Sequence, residues 1–117
     1  MVREGVLGVF ERYKLDAIIY CTRAKPADLI NPAARKGGGD ASTAVPSLRN
    51  IANITHFPDL IVPAGLTKEH LPVSISFFGP AFSEPRLLAY GFAYEQATHH
   101  RASPASTPTL PGEKFEY

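Results

Sequence analysis

A chain of 117 residues has room for one domain with a modest core. Its 44% apolar and 20% charged residues match ordinary globular usage, and a formal net charge of +1 leaves no strong field to attract nucleic acid or an anionic membrane. No apolar run approaches the roughly 20 residues that a bilayer demands, and the first residues lack the apolar stretch of a secretory signal, so a soluble, cytoplasmic protein is expected.

Over residues 2–14, Val2, Val6, Val9, Phe10 and Tyr13 recur at helical spacing and make one stripe, which predicts a helix. Gly5 and Gly8 weaken it by about 1 kcal/mol each relative to alanine. Residues 16–21 are short, apolar and β-branched at the centre, the pattern of a buried strand. Cys21 ends that run as the chain's one cysteine, so no internal disulfide can form and a buried, inert thiol is expected.

Residues 22–46 show no period and carry Pro26, Pro32, Pro46 and Gly37-Gly38-Gly39. A loop of roughly 25 residues is long for a compact domain and fits better along a site in something larger. Residues 46–54 predict a short helix, with Leu48, Ile51 and Ala52 on one face and Pro58 as its stop. Strands are expected at 58–63, where Pro63-Ala64-Gly65 closes the run Leu60-Ile61-Val62, and at 71–78. In the second of these, Val73, Ile75 and Phe77 alternate with Ser74, Ser76 and Phe78. Lys68-Glu69-His70 forms the polar turn between them, which most simply joins an antiparallel pair.

Residues 83–98 carry the clearest helical pattern. Ser83 can cap it, Glu84 suits its positive end, and Pro85 is tolerated in the first turn. Leu87, Leu88, Gly91 and Phe92 make its apolar stripe, with Gly91 allowing close packing. The single unit is expected to occupy residues 1–100. Beyond it, residues 101–117, rich in Ser, Thr and Pro, are expected to be extended or disordered. The order helix, strand, long loop, helix, strand, strand, helix defines a mixed α/β fold: a partial sheet with flanking helices.

Candidate chemistry is sparse. Adjacent His99 and His100 point apart on any regular element, and His56 and His70 are far off in sequence, so a helix-end role near the C-terminal dipole is expected and a metal site is not. Asp16, Asp28, Asp40 and Asp59 show no paired-carboxylate pattern and are read as solvated or capping. Lys25, Ser42 and Ser47 could be drawn into a triad, but Ser and Lys are abundant enough to make such sets by chance. Gly37-Gly38-Gly39 lacks the strand–helix frame of a phosphate loop and reads as a turn. Tyr90 and Tyr94 are read as packing residues.

Three stretches, in order, carry a family resemblance. Asn53-Ile54-Thr55-His56-Phe57-Pro58, running on to Pro63-Ala64-Gly65, is similar to an Asn-x-x-Gly-x-Pro-x-x-x-x-Pro-x-Gly strand motif. Leu71-Pro72-Val73-Ser74-Ile75-Ser76 is similar to Leu-Pro-Val-Gly-x-Gln, with Ser74 and Ser76 in place of Gly and Gln. Phe82-Ser83-Glu84, then Leu87-Leu88 and the residues up to Thr98, resemble the same family's closing helix. Over residues 16–101 the chain thus resembles the closing quarter of amidase-signature enzymes. That resemblance implies a large mixed sheet between helices, and amide hydrolysis by a Ser–cis-Ser–Lys triad with a backbone oxyanion site and no cofactor.

The family's lysine and its Gly-Ser-rich loop lie upstream of the matching region, so no catalytic residue carries over. Gly37–Gly39 with Ser42 imitates that loop in the wrong place, with Asp40 where a serine belongs. The resemblance implies a piece that supplies strands and one wall of the substrate pocket. Asn50, Asn53, Thr55 and His56, which precede a strand, are the residues expected there. The expected partner is a complementing N-terminal amidase portion. A non-catalytic module that forms a homo-oligomer through open sheet edges is the alternative. A small amide substrate is expected only in the complete enzyme, with no nucleic acid and no membrane.

Overall fold

The computed structural model describes residues 1–23, 50–102 and 111–112. Helix α1 spans Val2–Tyr13 and ends where Lys14 turns left-handed, its N–H directed back to Phe10 and Glu11. Strand β1, Ile18–Cys21, follows. The short helix α2 is Ile51–Thr55, then come β2, Asp59–Leu66, β3, Pro72–Phe78, and helix α3, Glu84–Thr98. The strands form one antiparallel sheet in the order β1-β3-β2. The chain is therefore mixed α/β, as its pattern predicts.

The register sorts side chains onto two faces. Ile18 pairs with Phe78 and Tyr20 with Ser76 on one side of β3, while Asp59 pairs with Phe78 and Ile61 with Ser76 on the other. That face receives α1 and α2. Phe10, Phe57 and Phe78 are buried together, with ring centroids 5.9 and 6.1 Å from Phe78. Arg3 lies 5.3 Å over the Phe57 ring and adds a cation–π contact between α1 and the turn after α2. The opposite face, with Phe77, Leu60 and Val62, receives α3. There Leu87 is buried, the Tyr94 ring meets Phe77 edge-on at 5.9 Å, and Gly91 sits on β2. A Cβ at Gly91 would lie 2.5 Å from Leu60 Cδ2, so the helix reaches its seat because that position has no side chain.

Several expectations are corrected. The buried side of α1 is Val6, Leu7 and Phe10, while Val2, Val9 and Tyr13 of the expected stripe are exposed. β1 is an edge strand that α3 does not cover, so Ile19 and Cys21 are exposed and the thiol is not buried. β2 does not close at Pro63. A register shift between Pro63 and Gly65 forms a bulge at Ala64, and pairing continues to Leu66. Pro63 keeps its place opposite Ser74 because proline is tolerated at the edge of a sheet and beside a bulge, where its missing N–H breaks no ladder bond. On α3, Leu87 and Gly91 are buried but Leu88 and Phe92 are not. Ser83 does not cap α3 with its side chain. Its hydroxyl donates to the Pro80 carbonyl at 2.6 Å instead.

The described helix α2 begins at Ile51 after Asn50; residues 46–49 of the expected helix lie outside the described residues. The β2–β3 turn is held by Thr67, whose hydroxyl accepts from the N–H groups of Glu69 and Leu71. At the far end His99 turns left-handed and closes α3 through its N–H to Glu95, and both His99 and His100 are exposed at the helix end.

Candidate functional site

The four residues expected at a pocket wall cluster on α2 and the turn after it. Asn50 precedes the helix without a side-chain cap, and Asn50, Asn53 and His56 are all exposed. Thr55 is fully enclosed. Its hydroxyl donates to the Ile51 carbonyl at 2.6 Å and accepts from the Phe57 N–H at 3.4 Å. Thr55 therefore fixes the turn and presents no free group.

His56 occupies the glycine position of the Asn-x-x-Gly-x-Pro motif and is left-handed, with φ 57° and ψ 33°. Glycine reaches this region without steric cost, and histidine is among the few other side chains found there. His56 N–H bonds the Ala52 carbonyl at 2.8 Å, which reverses the chain, and Phe57-Pro58 then leads it extended into β2. A short motif thus places three exposed polar side chains at the end of the sheet where β2 begins.

A second polar group spans the sheet and was missed by sequence reasoning. Tyr20 on β1 donates its hydroxyl to Asp59 Oδ2 on β2 at 2.5 Å, reaching across the central strand. Thr22 Oγ1 and Ser76 Oγ are hydrogen-bonded at 2.9 Å on the same face, and Ser76 has no exposed surface. Asp59 is accordingly not a solvated or capping residue. Its Oδ1 is buried and has no hydrogen-bond partner among the described residues. The available signal was strand alternation: Tyr20, Ser76 and Asp59 are polar residues at inward-facing positions of apolar runs.

Burial pushes the Tyr20 hydroxyl up from its ordinary 10.0 to about 12, the bond to Asp59 and its negative charge push the same way, and the Ser76 hydroxyl opposes them. The folded chain thus holds the Tyr20 proton more tightly than the unfolded chain. Its stabilising contribution is complete below pH 10 and is lost as pH rises through about 12. Denaturant titrations between these limits should show a steeper loss of stability for the native chain than for Tyr20→Phe. Equal slopes would show that Tyr20 is not the group responsible. At neutral pH Tyr20→Phe should cost about 1–3 kcal/mol, because the Asp59 carboxylate loses a donor.

Among the described residues no three His, Cys, Asp or Glu side chains gather to hold a metal. No described helix is long and apolar enough to cross a membrane. Lys25, Ser42, Ser47, Asp28, Asp40 and Gly37–Gly39 lie outside the described residues.

Comparison with known proteins gives this geometry a context. The amidase family model matches residues 1–88. Indoleacetamide hydrolase of Agrobacterium vitis is 35% identical over 99 residues, covering 81% of this chain and 21% of that protein. A glutamyl-tRNA(Gln) amidotransferase component of Desulforudis audaxviator is 46% identical over 57 residues, 48% of this chain and 11% of that protein. The crystal structure of PAM12A is similar with a TM-score of 0.68 at 33% identity, over 86% of this chain and 20% of that one. The chain thus spans about a fifth or less of the length of the curated relatives it matches. With a family match over residues 1–88 and a solved relative of the same fold, this chain belongs to the amidase family, of which it represents a segment.

Proposed function

We propose that this chain is the C-terminal part of an amidase-type hydrolase, contributing sheet strands and one wall of a pocket for a small amide. The reading rests above all on a family match over residues 1–88 in a chain that covers only 21% of a hydrolase named for an amide substrate. The amide-cleaving serine and lysine belong to the upstream part of such an enzyme. Asn50, Asn53 and His56 supply exposed donors and acceptors at the pocket wall, and Thr55 holds their turn in shape. Glycine-motif geometry at His56 supports that placement, since the turn sets the direction in which all three side chains leave the backbone.

On this reading the purified chain has no hydrolytic activity of its own. Incubation with a panel of primary amides, anilides and esters should give no turnover above the uncatalysed rate. Turnover that disappears in Ser42→Ala would overturn the reading, because the chain would then carry its own nucleophile.

A further inference from the structure

The two edges of the sheet differ, and the backbone of β1 leaves its own edge open. In an antiparallel pair the N–H and C=O of one residue point the same way, and those of the next residue point the other way. Thr22 N–H bonds the Ser74 carbonyl, so the main-chain groups of Ile18, Tyr20 and Thr22 turn inward to β3. Those of Ile19 and Cys21 turn outward. Ile19 is 57% exposed and Cys21 is exposed as well, and among the described residues no strand lies beyond them.

Proteins protect a sheet edge with charge, proline or a bulge. β2, the other edge, has two of these. Its bulge is at Ala64, and the Gly79 N–H bond to the Pro58 carbonyl sets the parity that puts the missing N–H of Pro63 on the outer side. β1 has none, since Ile18-Ile19-Tyr20-Cys21 is uncharged, unbroken and free of proline. It is also self-complementary. When two copies of β1 run antiparallel about a twofold axis at Tyr20, Ile19 of each copy faces Cys21 of the other, and every outward main-chain group of the strand is used. A shift by two residues either way sets Ile19 or Cys21 against residues beyond the strand. In the centred register the apolar side chains of Ile19 and Cys21 lie side by side on the α3 face. At the strand ends, acidic Asp16 of one copy comes beside basic Arg23 of the other.

We propose that β1 is a docking edge for a second copy of this chain: two copies join antiparallel through Ile19 and Cys21 into one continuous sheet in the order β2-β3-β1-β1-β3-β2. The pairing does not depend on the reading of the chain as part of a hydrolase. A strand of 4 residues buries far less than the roughly 800 Å² per partner of a standard interface, so the association is transient and depends on concentration.

Sedimentation equilibrium of the 117-residue chain in reducing buffer, over about 10–500 µM, should show monomer passing into dimer. Across that range the amides of Ile19 and Cys21 should come to exchange at least about fivefold more slowly. Cys21 is the one cysteine of the chain. In this register two copies place it about 8 Å apart, too far for a disulfide and within reach of a bis-maleimide with a spacer of that length. The reagent should give a covalent dimer in proportion to the dimer seen in sedimentation. Ile19→Pro, whose lost N–H points away from β3, should abolish the dimer and keep the circular dichroism of the monomer. Ile19→Lys should do the same, and decides the matter where proline unfolds the strand. Ile61→Lys, on the exposed side of β2, should leave the dimer intact. A monomer throughout, a dimer that survives the Ile19 variants or dissolves with Ile61→Lys, or one that forms only without reductant overturns the proposal. So does full protection of Ile19 and Cys21 at the lowest concentration, because another part of the chain would then cover the edge. None of these outcomes changes the amide-turnover assay, so the C-terminal-part reading stands or falls separately.

Discussion

Phe78→Ala is expected to remove about 3–5 kcal/mol of folding stability. Phe78 is 1% exposed and ends the central strand. Its ring touches Phe10 from α1 and Phe57 from the turn after α2, and its backbone pairs with Ile18 on one side and Asp59 on the other. One truncation therefore loosens every element on that face, and the space left is bounded by two rigid rings that cannot collapse into it. Domains are stable by only about 5–15 kcal/mol, so the loss is a large fraction of the total. Urea denaturation followed by far-UV circular dichroism measures it. Val9→Ala on the exposed side of α1 should stay within about 0.5 kcal/mol. A Phe78→Ala cost no larger than that control would mean that α1 and α2 do not share a core with the sheet.

Leu87→Ala is expected to cost about 2–5 kcal/mol, and Leu88→Ala, one residue further on, almost nothing in the free chain. Leu87 is 1% exposed, and its methyl carbons lie 3.1 and 3.3 Å from where a Cβ on Gly79 would be. Leu88 is 60% exposed. Both leucines have the same helix propensity and the same chemistry, so the difference isolates the rotation of α3 about its axis. Denaturant midpoints of the two variants give the result directly. Equal costs would place the buried seam between the two leucines and move Gly91 off Leu60.

Much of this architecture was legible without coordinates. The alternation of Val73, Ile75 and Phe77 with Ser74, Ser76 and Phe78 named β3, and the 3.6-residue pattern named α3 to within a residue at its start. Lys68-Glu69-His70 named the turn. The motif around Asn53 and Pro58 located the reversal before β2 and carried the family. His56 stands at the glycine position of that motif, and the structure shows that the position is left-handed. These features are local: each depends on backbone preferences and side-chain spacing within a few positions.

What the sequence by itself determined is therefore the set of elements, their order, and membership of the amidase family. The tertiary structure alone decided which sides of those elements are covered. Leu87 and Leu88 are equivalent in sequence, and only the seating of Gly91 on Leu60 separates them. Cys21 looks buried until β1 is found at an edge that α3 does not reach. Tyr20 and Asp59 meet across 39 residues, and Arg86 and Asp16 across 70. Periodicity fixes the direction of a side chain relative to its own helix or strand. What lies in that direction depends on chain segments brought together from far apart, and a local pattern holds no record of them.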